Sequence, residues 1–198
     1  MIDLAELLER GEPIVLDLGC GRTKRAGSIG IDAAELPGVD IVANLEDGLP
    51  FLPDRSVDAI HSDHFLEHVS RFELVMAEIV RVLKPGAKAY VTVPHFSNPY
   101  FYSDYTHQRF FGLYTFYYFV DERRQLTRKV PSFYTPTRIL VESQRLVFRP
   151  GAGRPGRYHR VLNRLVNRSA RAQERYEAHL CYLFPCYELK VVFSRDDT

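Results

Sequence analysis

An α/β fold with a mostly parallel sheet is what the sequence predicts, and three observations predict it. Ile14-Val-Leu-Asp-Leu18 is an apolar run broken only by Asp17, the pattern of a short strand buried on both faces. Gly19 and Gly21 follow at once, so the chain can turn sharply and its backbone can approach a ligand closely. Further strand candidates recur at residues 28–32, 39–43, 56–61 and 88–94, with a helix-period segment between the last two. In an open sheet of this kind ligands bind beyond the carboxyl ends of the strands, which is where Gly19 and Gly21 fall.

The totals narrow the function classes. With 198 residues the chain is long enough for one domain with a sizeable core. Its net charge of +1 does not commit the whole molecule to nucleic acid, so any basic surface must be local. Cys20, Cys181 and Cys186 are odd in number and unevenly spaced, which argues against a disulfide framework and for a reducing compartment. Residues 1–10 are amphipathic and acidic, unlike a signal peptide, and no apolar run reaches the ~20 residues that span a bilayer. A cytoplasmic protein is expected.

In chain order, residues 3–10 read as a short helix with Leu4, Leu7 and Leu8 on one face, stopped by Gly11 and Pro13. Only residues 19–27 separate the first strand from the second, too few for a three-turn helix with its loops, so a loop or single turn is expected there. The third glycine of a dinucleotide fingerprint is replaced by Lys24, which weakens a dehydrogenase reading. After the fourth strand, Ser62-Asp-His-Phe-Leu-Glu-His-Val69 is expected to open a helix. Residues 74–83 continue it with Met76, Ile79, Val80 and Leu83 inward, and Lys84-Pro-Gly86 stops it.

Asp17-Leu-Gly-Cys-Gly21, the acid Asp32 ending the second strand, Asn44 followed by Leu-Glu-Asp-Gly-Leu-Pro-Phe51, and Val80-Arg-Val-Leu-Lys-Pro-Gly86 before a strand stand in one order and spacing. Together they resemble the core of the class I S-adenosylmethionine-dependent methyltransferases over residues 14–95. The resemblance implies a Rossmann-like sheet, here with its first helix shortened and its terminal strand, residues 187–193, inserted antiparallel. It also implies S-adenosylmethionine as cofactor. Asp17, Gly19, Cys20 and Gly21 would wrap its methionine part, Asp32 would accept from the ribose hydroxyls, and Asn44 with Leu45 would meet the adenine. Glu46 and Asp47 are fallback candidates for the adenine, and Asp63 and His64 would line the cofactor edge.

Residues 95–112 are aromatic, interrupted by Pro99, and follow the fifth strand, a composition suited to a small-molecule site. Asp104-Tyr-Thr-His107 with Phe111 resembles a pattern in methyltransferases of bacterial surface-glycan and polysaccharide clusters, which implies O-methylation of a sugar or glycan intermediate. A hydroxyl acceptor must lose a proton, and histidine suits that at neutral pH. His107 and His95 are the candidate bases, with Asp104 able to orient a ring. His61, Asp63, His64 and His68 invite a metal reading, with His64 and His68 one helical turn apart, but His61 belongs to a strand end. No metal is expected, and Glu67 and His68 are taken to cap or pack the helix. Residues 113–120 are densely aromatic and read as core or as a cap helix.

Residues 138–149 alternate as a sixth strand, and residues 150–156 form a linker. From Arg157 one helix is expected to about His179, with Arg157, Arg160, Arg164, Arg168, Arg171 and Arg175 on one stripe and Tyr158, Leu162, Leu165, Tyr176 and Leu180 beside them. The stripe is either a solvated face or a dock for an anionic lipid, a phosphate or the inner membrane surface. No nucleic-acid partner is expected, because no stacking module accompanies it. Residues 1–198 thus read as one methyltransferase domain: a cofactor core (14–95), a substrate cap (96–136) and a basic helix (157–180). The alternative is a non-catalytic nucleotide- or cofactor-binding module that docks through the arginines.

Overall fold

The computed structural model describes residues 7, 9, 11–151, 154 and 156–197. The helix expected over residues 3–10 lies outside the described residues except for Leu7 and Glu9, as does part of the 150–156 linker. Seven strands form one sheet: β1 (Val15–Leu18), β2 (Ile29–Asp32), β3 (Ile41–Val42), β4 (Val57–Asp63), β5 (Leu83–Pro94), β6 (Ile139–Val147) and β7 (Glu188–Arg195). Their order is β3-β2-β1-β4-β5-β7-β6. β1 to β5 pair parallel, and β7 runs antiparallel between β5 and β6, as the family resemblance implied. The chain steps outward from β1 to β3 and then returns to β4 on the other side of β1. The carboxyl ends of β1 and β4 therefore flank the switch point where an α/β sheet opens a crevice.

The central strands bury apolar residues on both faces: Leu16, Leu18, Ile31, Ile60 and Val93 are at most 1% exposed. The helix α1 (Phe72–Val82) covers one face through Phe72, Val75, Met76, Ile79 and Val82, one stripe of the 3.6 period. Burying each such side chain contributes about 1.5–3 kcal/mol relative to leaving it in water. Leu83 leaves the helix directly into β5 and pairs with Val57, five residues before the expected start at Lys88. The pairing then jumps to Ala59↔Lys88, so Lys84-Pro-Gly-Ala87 loops out of the ladder.

Two expectations change. No α-helix opens at Ser62: β4 runs on to Asp63, His64 turns at φ 54°, and a single 3-10 turn covers Leu66–His68. The ladder explains this, because Ser62 and Asp63 pair with Val91 and Thr92, and the His64 N–H donates to the Thr92 carbonyl at 2.9 Å. The basic segment is two helices, α2 (Arg157–Val166) and α3 (Ala170–His179). Asn167 ends α2 because its amide pairs with both backbone groups of Leu146 (2.8 and 2.7 Å), and Ser169 caps α3. Asn163, one turn earlier, does the same to Phe148. Two asparagines thus satisfy the backbone along the outer edge of β6, which would otherwise be open to strand addition. Residues 113–120 contain a 3-10 turn, Thr115–Phe119, whose Phe116 and Phe119 are core residues packed on Phe72.

Candidate functional site

Past β1 the chain folds back so that the Gly19 and Cys20 N–H groups both donate to the Ile31 carbonyl (2.9 and 3.3 Å). Gly19 and Gly21 take φ of 66° and 52°, a region glycine enters without strain. A Cβ on Gly19 would lie 2.5 Å from the Phe65 ring, whereas one on Gly21 would meet nothing within 4 Å. No helix follows, as the spacing predicts, and acids hold the loop instead. Buried Asp17 accepts from the Arg25 N–H at 2.7 Å. Asp32 accepts from the Gly21 N–H through one oxygen and the Ala34 N–H through the other, both at 2.9 Å. Lys24, where a dinucleotide binder has its third glycine, reaches Asp40 at 2.6 Å.

Asp17, Gly19, Cys20, Thr23, Arg25 and Asp63 line a cavity of about 280 Å³. Arg25 spans it to Asp63 at 3.6 Å. Two carboxylates and a guanidinium suit a zwitterion such as the methionine end of the cofactor, and each oxygen of Asp32 keeps a lone pair for a ribose hydroxyl. Cys20 lines the cavity as a neutral thiol, pushed up to about 11 by burial and by Asp17. Asn44 caps the 3-10 turn Leu45–Asp47 by accepting from the Glu46 N–H at 3.1 Å, which leaves its NH2 free to donate. The Leu45 side chain is core. Glu46 clamps Ser70 and Arg71, and the Ser70 hydroxyl first among these donors holds its carboxyl below the usual range. Asp47 is exposed.

At the end of β4, His64 lies between two carboxylates: Nδ1 is 3.1 Å from Glu67 and Nε2 3.1 Å from Glu188. The Glu188 bond and then the Glu67 bond raise its pKa to about 9, so it is an imidazolium at neutral pH. Arg149 also pairs with Glu188 and stacks 4.3 Å over the Tyr187 ring. Glu67 is fully buried, and its Oε2 has no hydrogen-bond partner among the described residues.

The loop after β5 is stapled at both ends. His95 is fully buried, with Nδ1 2.8 Å from Ser97 and Nε2 3.1 Å from Glu177 of α3, so both nitrogens are engaged and solvent does not reach it. Further on, the Gln108 and Arg109 N–H groups donate to the Glu67 carbonyl (2.8 and 3.2 Å), and Arg109 Nε donates to Val69. His107 therefore lies against His68, ring centroids 4.9 Å apart. Its Nδ1 donates to the Phe101 carbonyl at 2.9 Å, which leaves Nε2 as the acceptor nitrogen. Asp104 is 3.7 Å from that Nε2 and is bound chiefly to Thr106, whose hydroxyl holds it below the usual carboxylate range. His64 and His68 do not converge on an ion, because the turn between them is not α-helical.

Two further cavities continue the crevice. One, of about 370 Å³, is lined by Asp63, His64, Thr92, Val147, Arg149, Glu188 and Lys190. The next, about 710 Å³ between α2 and strands β6 and β7, gathers Arg145, Arg149, Arg160, Arg164 and Lys190. Arg157, at the start of α2, and Arg168 and Arg171, past the break at Asn167, are exposed and do not line it. A separate cavity of about 540 Å³ under Arg109, Tyr118 and Tyr134 shares no residue with the cofactor cleft. Arg25, Glu188 and Arg149 were not legible as site residues. They arrive through a loop shape and through β6 and β7, whose places in the sheet no local pattern sets.

Residues 16–91 match the family model described as a methyltransferase domain. The fold is similar to that of a SAM-dependent methyltransferase from Archaeoglobus fulgidus, at 19% identity and a TM-score of 0.53, covering 96% of this chain and 92% of that one. It is also similar to a chain of the Haloferax volcanii complex between the Trm112 methyltransferase activator and a methyltransferase (18% identity, TM-score 0.55, 98% and 88% covered). A third similar structure is the [4+2]-cyclase SpnF (17% identity, TM-score 0.52, 97% and 79% covered), so the fold alone does not fix the reaction. No curated protein matches the sequence. Residues 16–91 thus match a methyltransferase domain, and the fold around them is the one these similar structures share.

Proposed function

We propose that the enzyme methylates a hydroxyl oxygen of a sugar or glycan intermediate that carries a phosphate. The observation behind this reading is the continuity of the crevice. Asp63 lines both the cofactor cleft and the cavity beside His64, and Val147, Arg149 and Lys190 line both that cavity and the arginine groove. An acceptor lying along it keeps its anionic end among five cationic side chains, where guanidinium forks suit phosphate oxygens. Exposed Tyr158, Val161 and Leu165 on α2, beside Arg157 and Arg168, support a lipid-linked acceptor met at the cytoplasmic face of a membrane. No helix among the described residues is long and apolar enough to cross one.

The cofactor supplies a methyl group on a sulfonium leaving group. Asp17 and Asp63 take its ammonium, Arg25 its carboxylate, Asp32 the ribose, and Asn44 with the Leu45 backbone the adenine. The backbone of Gly19, Cys20 and Gly21 passes beneath. Catalysis rests on alignment and exclusion of water, with the hydroxyl proton taken at His107 Nε2. His95 positions the loop through Ser97 and Glu177.

Calorimetry with S-adenosylmethionine and with NAD comes first. Micromolar binding of the former alone, lost in Asp32→Ala, is expected. Methyl transfer to nucleotide-linked and free sugars is then compared in wild type and Arg160→Ala/Arg164→Ala. The double variant should raise KM at least tenfold for phosphorylated acceptors only. Equal effects on charged and uncharged acceptors would remove the phosphate from the proposal.

A further inference from the structure

The geometry points to a divalent transition-metal site formed by Glu67, His68 and His107. A carboxylate oxygen of Glu67 and one nitrogen of each ring all lie within 4.8 Å of one another. The independent observation is the buried Glu67 Oε2, which finds no donor even though His64 occupies the other oxygen. A buried carboxylate oxygen is seldom left without a partner, and a cation would supply one.

The contacts that hold the two rings agree. His68 Nδ1 lies 2.9 Å from the Thr106 hydroxyl, and that hydroxyl donates to Asp104. Thr106 Oγ1 therefore accepts from the His68 Nδ1–H, which leaves Nε2 bare. His107 is fixed the same way by the Phe101 carbonyl. Both imidazoles are thus held in the tautomer that a metal ligand needs, by the kind of partner that orients ligating histidines. Arg109, the nearest cation on the loop, is turned away to the Val69 carbonyl and the Phe72 ring. Metal bonds of about 2.0–2.2 Å need donor separations of roughly 3–3.5 Å, so a closure of about an ångström by the two rings, one of them on an exposed loop, completes the site. Two imidazoles and one carboxylate with open positions suit Zn²⁺, Fe²⁺, Mn²⁺ or Co²⁺ and disfavour Mg²⁺ and Ca²⁺.

The ion's binding stands on these contacts alone, whereas its role rests on the O-methylation reading above. Bound at an open position, the acceptor hydroxyl is acidified and loses its proton to solvent. Its oxygen then forms the bond to the methyl carbon as the C–S bond breaks, with the electron pair leaving on sulfur. His107 becomes a ligand in this state, and without an ion it keeps the role of base.

The test is binding of Co²⁺, followed by its visible absorption, and of Zn²⁺ by calorimetry, on the full chain and on His68→Ala, His107→Ala and Glu67→Gln. One ion per chain is expected, with affinity reduced about 100-fold in each variant, in folded protein as judged by circular dichroism. His68→Gln and His107→Gln serve where an alanine variant fails to fold. No ion bound, or wild-type affinity in both histidine variants, overturns the site. Chelator-sensitive transfer restored by Mn²⁺ or Zn²⁺ supports the ion's role. An intact metal site in an enzyme that methylates no hydroxyl acceptor would refute the O-methylation reading and leave the site standing.

Discussion

Gly19 and Gly21 stand two residues apart in the same left-handed region, yet alanine at each should do a different thing. A left-handed non-glycine residue costs roughly 1–2 kcal/mol, and replacing glycine returns about 0.4–1 kcal/mol through the unfolded chain. At Gly21 that is nearly the whole balance, because the added methyl meets nothing within 4 Å. A net loss of at most about 1.6 kcal/mol is expected, or a Tm fall of no more than about 6 °C. At Gly19 the methyl would sit 2.5 Å from three atoms of Phe65. This is about an ångström inside ordinary contact. Phe65 is half-buried, so it can move only at the expense of its packing, an overpacking penalty of about 1–3 kcal/mol. The sum is about 2–4 kcal/mol and a Tm fall of roughly 5–15 °C. Cofactor affinity should run the other way for the stable variant. Open space above Gly21 is space for a ligand, so Gly21→Ala should weaken S-adenosylmethionine binding at least about tenfold, or ~1.4 kcal/mol. Differential scanning calorimetry and titration calorimetry read the two effects separately. Equal Tm losses, or unchanged cofactor affinity in Gly21→Ala, would refute the reasoning.

Two further outcomes follow from charge and burial. Glu78 accepts from Arg81 and from the Leu49 N–H (2.7 Å each), and Arg81, against the opposing effect of burial, holds its carboxyl below the ordinary range. A depressed folded pKa gives stability that is present above the unfolded value of about 4.3 and lost as pH falls below it. Glu78→Gln should therefore cost about 1–2 kcal/mol at pH 7 and progressively less below pH 4 in denaturant titrations, and a constant difference would contradict the assignment. Cys20, Cys181 and Cys186 are all buried, and burial raises each thiol, Cys20 to about 11. At pH 8 the native protein should consume almost no thiol reagent and the denatured protein three equivalents, whereas rapid native labelling would place a thiolate in the cleft.

What was legible in the sequence is what short-range patterns encode. Leu16 and Leu18, the glycines behind them, and Met76 and Ile79 of α1 announce themselves by period and by breaker residues, whereas Val80, expected inward, is only partly buried, Leu83 belongs to β5, and Val75 and Val82 take inward places. Strands β1 to β5 were each legible as such a run, whereas their order β3-β2-β1-β4-β5, which reverses at β1, is not a local property. The errors fall where a distant partner overrides a local preference. Residues 62–69 have helical spacing, but the Thr92 carbonyl captures His64 and prolongs β4. Residues 157–179 have one continuous stripe, but Asn163 within α2 and Asn167 at its end bind the backbone of Phe148 and Leu146, and the helix stops at Asn167. An asparagine pair at helical spacing and Ser169, which caps α3, were the local signs.

The candidate site follows the same rule. Asp17 and Asp32 stand beside the glycine turn because their positions relative to Gly19 and Gly21 are local. His107 came from a short motif, but its neighbours could not, since Glu67 and His68 lie some forty residues earlier in the chain. What joins them is backbone chemistry: two N–H groups of the loop donate to one carbonyl, that of Glu67 itself. One residue thus carries the staple on its backbone and an unpartnered oxygen on its side chain. A loop docked by that carbonyl cannot leave without also dispersing the two imidazoles and the carboxylate. The loop and the group of donors beneath it are then one structural unit.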